Sequence, residues 1–120
     1  MSKLNIDPNT LSRPDRYKLM CALVIPRPIA LVTTISKNGI VNAAPFSFFN
    51  VFSDKPSIVA LGVNAKPEGG LKDTAANIKE QKEFVVHMVT FDIADQMNIS
   101  CVNFPPEVSE IDEANFTLRQ

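Results

Sequence analysis

Among its 120 residues the sequence has no tryptophan, one tyrosine, one histidine, two cysteines and four glycines. No apolar run approaches the ~20 residues of a membrane-spanning helix. Met1 to Thr10 is polar and does not read as a signal peptide, so the expected location is the cytoplasm. The cysteines, Cys21 and Cys101, stand far apart in apolar surroundings without a CxxC or Cys/His grouping. That spacing excludes a zinc site and predicts buried free thiols. The single histidine, His87, has no Ser, Cys or carboxylate beside it in sequence, and it reads as structural or interfacial rather than as part of a triad. Neither GxGxxG nor GxxxxGK[ST] occurs, which removes the standard fingerprints for a dinucleotide or for ATP. Charge of either sign is also scarce as a cluster. Twelve Lys and Arg against thirteen Asp and Glu leave a net charge of -1, and the cations are scattered, which argues against nucleic acid or an anionic membrane as partner.

What is present suffices for a fold. Hydrophobic residues make up 45% of the chain and charged ones 21%, and no Ser-, Gly- or charge-rich linker divides residues 1–120, so one domain is expected. Met1 to Ser12 is polar and extended. Arg13 to Cys21 is expected to form a short helix with Ser12 as its cap and Pro14 in its first turn. Ile29 to Ser36 is β-branched and precedes Lys37-Asn38-Gly39, a tight-turn signal that predicts a hairpin. The returning segment, Ile40 to Phe52, is read as one irregular strand, because Pro45 cannot donate to a ladder and implies an edge, a bulge or a bend. Ser57 to Asn64 and Glu83 to Phe91 read as third and fourth strands. Helices are expected at Asp73 to Lys82 and Asp92 to Cys101, each with its leading Asp as cap. Glu107 to Gln120 carries no strand signal. Late helices among hairpin-linked strands indicate an α+β or barrel-like domain, and four strands are too few to close a barrel.

Two segments carry chemistry. Asn42 to Asn50 (NAAPFSFFN) crowds small residues, amides and aromatics around a strand proline. Alanines permit close approach of backbone to a flat ring, and a bent strand leaves amides free for a ligand. The same residues also read as the inward positions Phe46, Phe48 and Phe52 of an ordinary core strand. In Lys66 to Asn77 (KPEGGLKDTAAN), glycines and Lys72 lead into a helix whose first turn holds Thr74, which suits a phosphate. Asp73 opposes an anion there and is expected to turn away and cap the helix. The other reading is a capped surface helix after a Gly turn. Thr33 and Thr34 point to opposite faces of the first strand, so only one of them faces any single ligand.

Pro26-Arg27-Pro28-Ile29-Ala30-Leu31-Val32-Thr33-Thr34, then Asn42 to Asn50, then Lys72-Asp73-Thr74 followed by Asn77-Ile78, resembles in this order the flavin reductase-like proteins, flavoredoxins included. The resemblance runs from about Tyr17 to the end. It implies a mainly β fold with short helices, an antiparallel split β-barrel of the FMN-binding type. It also implies a homodimer holding flavin near the subunit interface. By resemblance, Asn42, Ala44, Pro45, Ser47, Phe48, Phe49 and Asn50 serve the ring and ribityl chain. Thr34, Lys72, Asp73 and Thr74 serve the phosphate end, and Arg27 is a further candidate. The implied cofactor is FMN, with FAD possible, and the implied co-substrate is NADH or NADPH. Hydride chemistry belongs to the flavin, and no catalytic acid or base is demanded. The resemblance further implies delivery of reduced flavin to a monooxygenase, or of electrons to a redox protein while FMN stays bound. Family members continue for several strands beyond the segment matching Pro105 to Ala114, which leaves the barrel incomplete here. A binding or assembly domain without activity is the non-enzyme alternative.

Overall fold

Ser12 opens the first helix as the sequence predicts. Its hydroxyl accepts the Asp15 N–H at 3.3 Å, and α1 spans Arg13–Leu23 with proline in its first turn. None of its residues is buried, so the helix lies on the outside and is held by polar contacts. The computed structural model describes residues 3–118. The polar leader forms a short 3-10 turn at Pro8–Thr10, capped by Asp7, instead of staying fully extended. The leader at residues 1–2 and the tail at residues 119–120 fall outside the described residues.

The β-branched run forms β1, Ala30–Ile35. In the turn after it only Gly39 takes a positive φ, 81°, so the hairpin needs glycine at one position, not two. The returning segment is not one strand. It makes β2 at Val41–Phe46, breaks at Ser47 and Phe48, and resumes as β3 at Phe49–Asp54. Pro45 does not cause that break directly. It sits inside β2 opposite Leu31, on an edge strand of its sheet, where its missing N–H leaves no ladder bond unmade. β3 pairs with β4, Ser57–Leu61, across an irregularity between Val51 and Ser53. The single irregular strand of the sequence reading is thus two strands that belong to different sheets.

After α2, Asp73–Gln81, which ends on Lys82 at φ 66°, β5 at Val85–Met88 returns to the far side of β1. The described residues therefore form a three-stranded sheet ordered β2-β1-β5 and a two-stranded sheet β3-β4, both antiparallel. The expected helix at 92–101 is shorter. A 3-10 turn at Phe91–Ile93 leads into α3, Ala94–Ile99, so Asp92 lies inside the turn and does not cap a helix. The acidic tail supplies α4, Glu110–Glu113.

β1 is the centre of the core, and alternation splits its side chains between two clusters. Leu31 packs with Ala43, Met97 and Ile111 under α3 and α4. Ala30 and Val32 pack with Phe46, and Phe49 and Leu61 of the second sheet close over them. His87 lies beside β1, its Nε2 2.9 Å from Thr33 Oγ1, at an exposed position. The cysteines are free but not buried: Cys21 is half-exposed and Cys101 is exposed just past α3. Each stands at the end of a short helix, where the apolar neighbours in sequence do not close over it. Among the described residues no helix is long and apolar enough to cross a membrane.

Candidate functional site

β2 presents Asn42, Ala44 and Pro45 to a cavity of about 1060 Å³ that also runs past Phe48, the 64–68 loop and the start of α2. Seven of the sequence-predicted residues line it: Asn42, Ala44, Pro45, Phe48, Lys72, Asp73 and Thr74. The remaining four do not. Thr34 is buried behind the wall. Ser47 accepts from Arg27 Nε at 3.2 Å. Phe49 belongs to the core between the sheets, and Asn50 accepts the N–H of its neighbour Val51 at 2.8 Å.

The wall and the helix start are tied by a buried polar network. Thr74 Oγ1 donates to Asn42 Oδ1 at 2.9 Å, and Thr34 donates to the same oxygen at 3.4 Å. Asn77 Nδ2 donates to Thr34 at 3.1 Å. On its other side Asn42 Nδ2 meets both carboxylate oxygens of Glu110 at 2.9 Å, and the Ala43 N–H reaches one of them at 3.1 Å. Among the described residues no buried side-chain polar atom lacks a partner, as low-dielectric surroundings demand.

Beside this network α2 begins without a side-chain cap. Lys72, not Asp73, occupies the N-cap, and the Asp73 carboxylate pairs with Lys66 Nζ at 3.2 Å. Asp73 neither caps the helix nor leaves the cavity as expected: it lines the cavity together with Lys66, which neutralises its charge there. With Ala76 N–H bonded to the Lys72 carbonyl, the N–H groups of residues 73–75 have no helical acceptor. Lys72 adds a positive charge to that end. Its field reaches Cys101, whose thiol burial pushes up and Lys72 pulls back down.

α1 closes the cavity from outside with Arg13, Tyr17 and Met20. Arg13 Nη2 donates to the Ala65 carbonyl at 2.6 Å. The Tyr17 ring stands 5.7 Å from that of Phe48, and the Arg27 guanidinium carbon lies 5.9 Å from the same ring centre. Arg27 also donates to the Cys21 and Val24 carbonyls at 2.6 and 3.0 Å, which fastens the end of α1 to the barrel. The neighbouring Cys21 raises the Tyr17 hydroxyl above its ordinary range, through a side-chain hydrogen bond first and its charge second. Arg13, Tyr17 and Met20 had a sequence signal, their helical spacing on one face. Glu110 had none, because its partner is 68 residues away.

Small side chains beside an aromatic ring, facing a free helix start with a lysine, make a surface for a flat ring joined to an anion. Residues 22–120 match the family model for the flavin reductase like domain. An uncharacterized protein of Halalkalibacterium halodurans is 47% identical over 114 residues, covering 95% of this chain and 54% of its own length. YwrF of Bacillus subtilis is 50% identical over 101 residues, covering 84% of this chain and 49% of its own. The chain thus spans about half the length of the curated relatives it matches. Among solved structures, nitrilotriacetate monooxygenase component B from Bacillus cereus superposes with a TM-score of 0.87 at 38% identity, covering 96% of this chain and 56% of that one. The Pseudomonas fluorescens 2-nitrobenzoate 2-nitroreductase NbaA gives 0.79 at 37% identity, covering 97% and 54%. A protein with a split barrel domain from Shewanella frigidimarina, 18% identical with a TM-score of 0.71, shares the fold. The two unclosed antiparallel sheets are a split barrel, and the chain belongs to the flavin reductase-like family.

Proposed function

We propose that this chain forms the FMN-binding part of a cytoplasmic flavin oxidoreductase that takes reducing equivalents from NADH or NADPH. The observation that carries the reading is the cavity itself. One wall is a strand that shows Ala44 and Pro45 to the cavity, and bonded to that wall is an uncapped helix start beside Lys72. FMN, when bound, supplies hydride acceptance at its ring.

The residues of this chain do the rest. Ala44 and Pro45 let the ring lie close to the backbone of β2, and Phe48, backed by Tyr17 and Arg27, keeps water from one edge. Lys72 and the free N–H groups of residues 73–75 hold the phosphate. Thr74 contributes through its N–H, since its hydroxyl is committed to Asn42. Ser47, oriented by Arg27, lies next to Phe48 at the edge of the site, and Phe49 supports that edge from the core. Exposed Val51, Phe52, Ile58 and Val59 on the second sheet support a homodimer built on that face. Similarity to a component B of a monooxygenase supports transfer of reduced flavin to a separate oxygenase.

Flavin titration tests the reading. FMN added to the purified chain should shift its absorbance and lose fluorescence, and a Lys72→Ala, Thr74→Ala double variant should bind at least about tenfold more weakly, as expected for losing one charged contact. NADH and NADPH oxidation in the presence of free flavin then identifies the donor. Equal binding by parent and variant would refute the phosphate assignment, and no binding by the parent would refute the function.

A further inference from the structure

Glu110 stands on the short helix α4 and is 7% exposed, yet it bonds to no cation among the described residues. Its carboxylate is surrounded by donors from β2: both Asn42 Nδ2 contacts at 2.9 Å and the Ala43 N–H at 3.1 Å. Burial of a carboxylate is costly unless it is so bonded, and this one is placed at the edge strand of the wall. A carboxylate only accepts. It therefore forces the nitrogen of the Asn42 amide, and not the oxygen, to face α4.

The consequence reaches the start of α2. With its nitrogen turned to Glu110, Asn42 offers its oxygen to Thr74 at 2.9 Å and to Thr34 at 3.4 Å. Thr74 is the second residue of α2. The side-chain donations thus run in one direction, from Thr74, and from Asn77 by way of Thr34, through Asn42 to Glu110. The chain of bonds ties the helix start to the strand that forms the ring wall. We propose that Glu110, which itself lines the cavity, is a positioning residue that holds the β2 wall against the start of α2. The inference rests on the FMN reading above and deepens it: a ligand using both the wall and the helix start depends on Glu110, and a ligand using the wall alone does not.

The test compares FMN, which has ring and phosphate, with riboflavin, which has the ring alone. Glu110→Gln leaves one oxygen to accept from Asn42 and Ala43 but sets its amide nitrogen against Asn42 Nδ2, donor facing donor. It should weaken FMN by at least about tenfold, the loss expected when a buried donor has no acceptor before it, and riboflavin by less than about threefold. The double variant Asn42→Asp, Glu110→Gln exchanges donor and acceptor while keeping one carboxylate in the network. It should restore FMN affinity to within about threefold. Binding is read by fluorescence quenching, and far-UV circular dichroism with thermal unfolding reads the fold. Equal loss of both ligands, loss of neither, or failure of the double variant to recover would each overturn the proposal. If Glu110→Gln does not fold, the double variant decides by itself: FMN affinity and FMN-to-riboflavin preference near the parent's support the proposal, and a lost preference sinks it. A parent chain that binds neither flavin would overturn the FMN reading and this inference together, whereas a parent that binds FMN with unaltered preference in Glu110→Gln overturns this inference alone.

Discussion

Gly62 donates its N–H to the Phe48 carbonyl at 2.7 Å, and a Cβ placed on Gly62 would stand 3.0 Å from the Cβ of Phe48. The bond extends the β3-β4 ladder one step beyond the Phe49–Leu61 pair. Phe48 is therefore seated from behind by glycine and faced by Tyr17 and Arg27. The aromatic edge of the cavity depends on a residue that does not line it.

Gly62→Ala should shift Phe48 by a few tenths of an ångström and cost about 1 kcal/mol, the low end of overpacking. Urea unfolding measures the cost, and near-ultraviolet circular dichroism reports the Tyr17–Phe48 arrangement. Stability and spectrum identical to the parent would show that the neighbour yields freely.

Thr74→Val keeps the shape of a fully buried side chain and removes its donation to Asn42. The carbonyl oxygen of Asn42 is left with Thr34 at 3.4 Å. A loss of about 1–3 kcal/mol is expected for a buried acceptor deprived of its better partner. Chemical denaturation decides, and a change under about 0.5 kcal/mol would contradict the network.

The Lys66–Asp73 pair is a third exposed on each side, at 3.2 Å. Solvent screening reduces such a pair to about 1 kcal/mol or less, and the expected cost of Asp73→Asn lies in that range, shrinking in high salt. Unfolding at low and high ionic strength checks both parts. A large, salt-insensitive loss would assign Asp73 a buried structural role.

Cys101 should react late with an alkylating reagent as pH rises. Although the residue is exposed overall, partial desolvation of its sulfur holds the thiol above the range of a free cysteine, about 8.5, and Lys72 acts in the opposite sense. Lys72→Met should therefore move the pH–rate curve further up. The linkage has a definite sign. The folded thiol's pKa is raised, so its contribution to stability is complete below the unfolded value and is lost as pH rises through the folded one. A rate profile matching that of a free thiol, or a downward move in Lys72→Met, would reject the assignment.

Local signals were legible where a residue dictates its own backbone. Ser12 caps α1, Gly39 makes the first turn, and Pro45 marks an edge strand, because each acts within a few bonds of itself. The break at Ser47 and Phe48 was not legible. Pro45 drew attention to itself, whereas the chain leaves its sheet two residues later to pair with β4. Asp92 was read as a cap and lies in a 3-10 turn, since a capping preference does not decide which residue starts the helix. The cysteines were misplaced for a related reason: apolar neighbours in sequence do not become apolar neighbours in space at a helix end.

By itself the sequence determined where α1, the first hairpin and α2 lie, the absence of familiar nucleotide and zinc motifs, and the ordered segments that resemble a flavin site. These follow from side-chain chemistry and short-range geometry. Only the tertiary structure decided which of those residues meet. It brought Asn42, Ala44, Pro45, Phe48, Lys72 and Thr74 to one cavity, left Phe49 and Asn50 on the second sheet, and set Glu110 against Asn42. Such pairings depend on sheet register and on where α4 comes to rest. A buried hydrogen bond between residues 68 apart has no local cause, because its energy appears only after the core has expelled water from both partners.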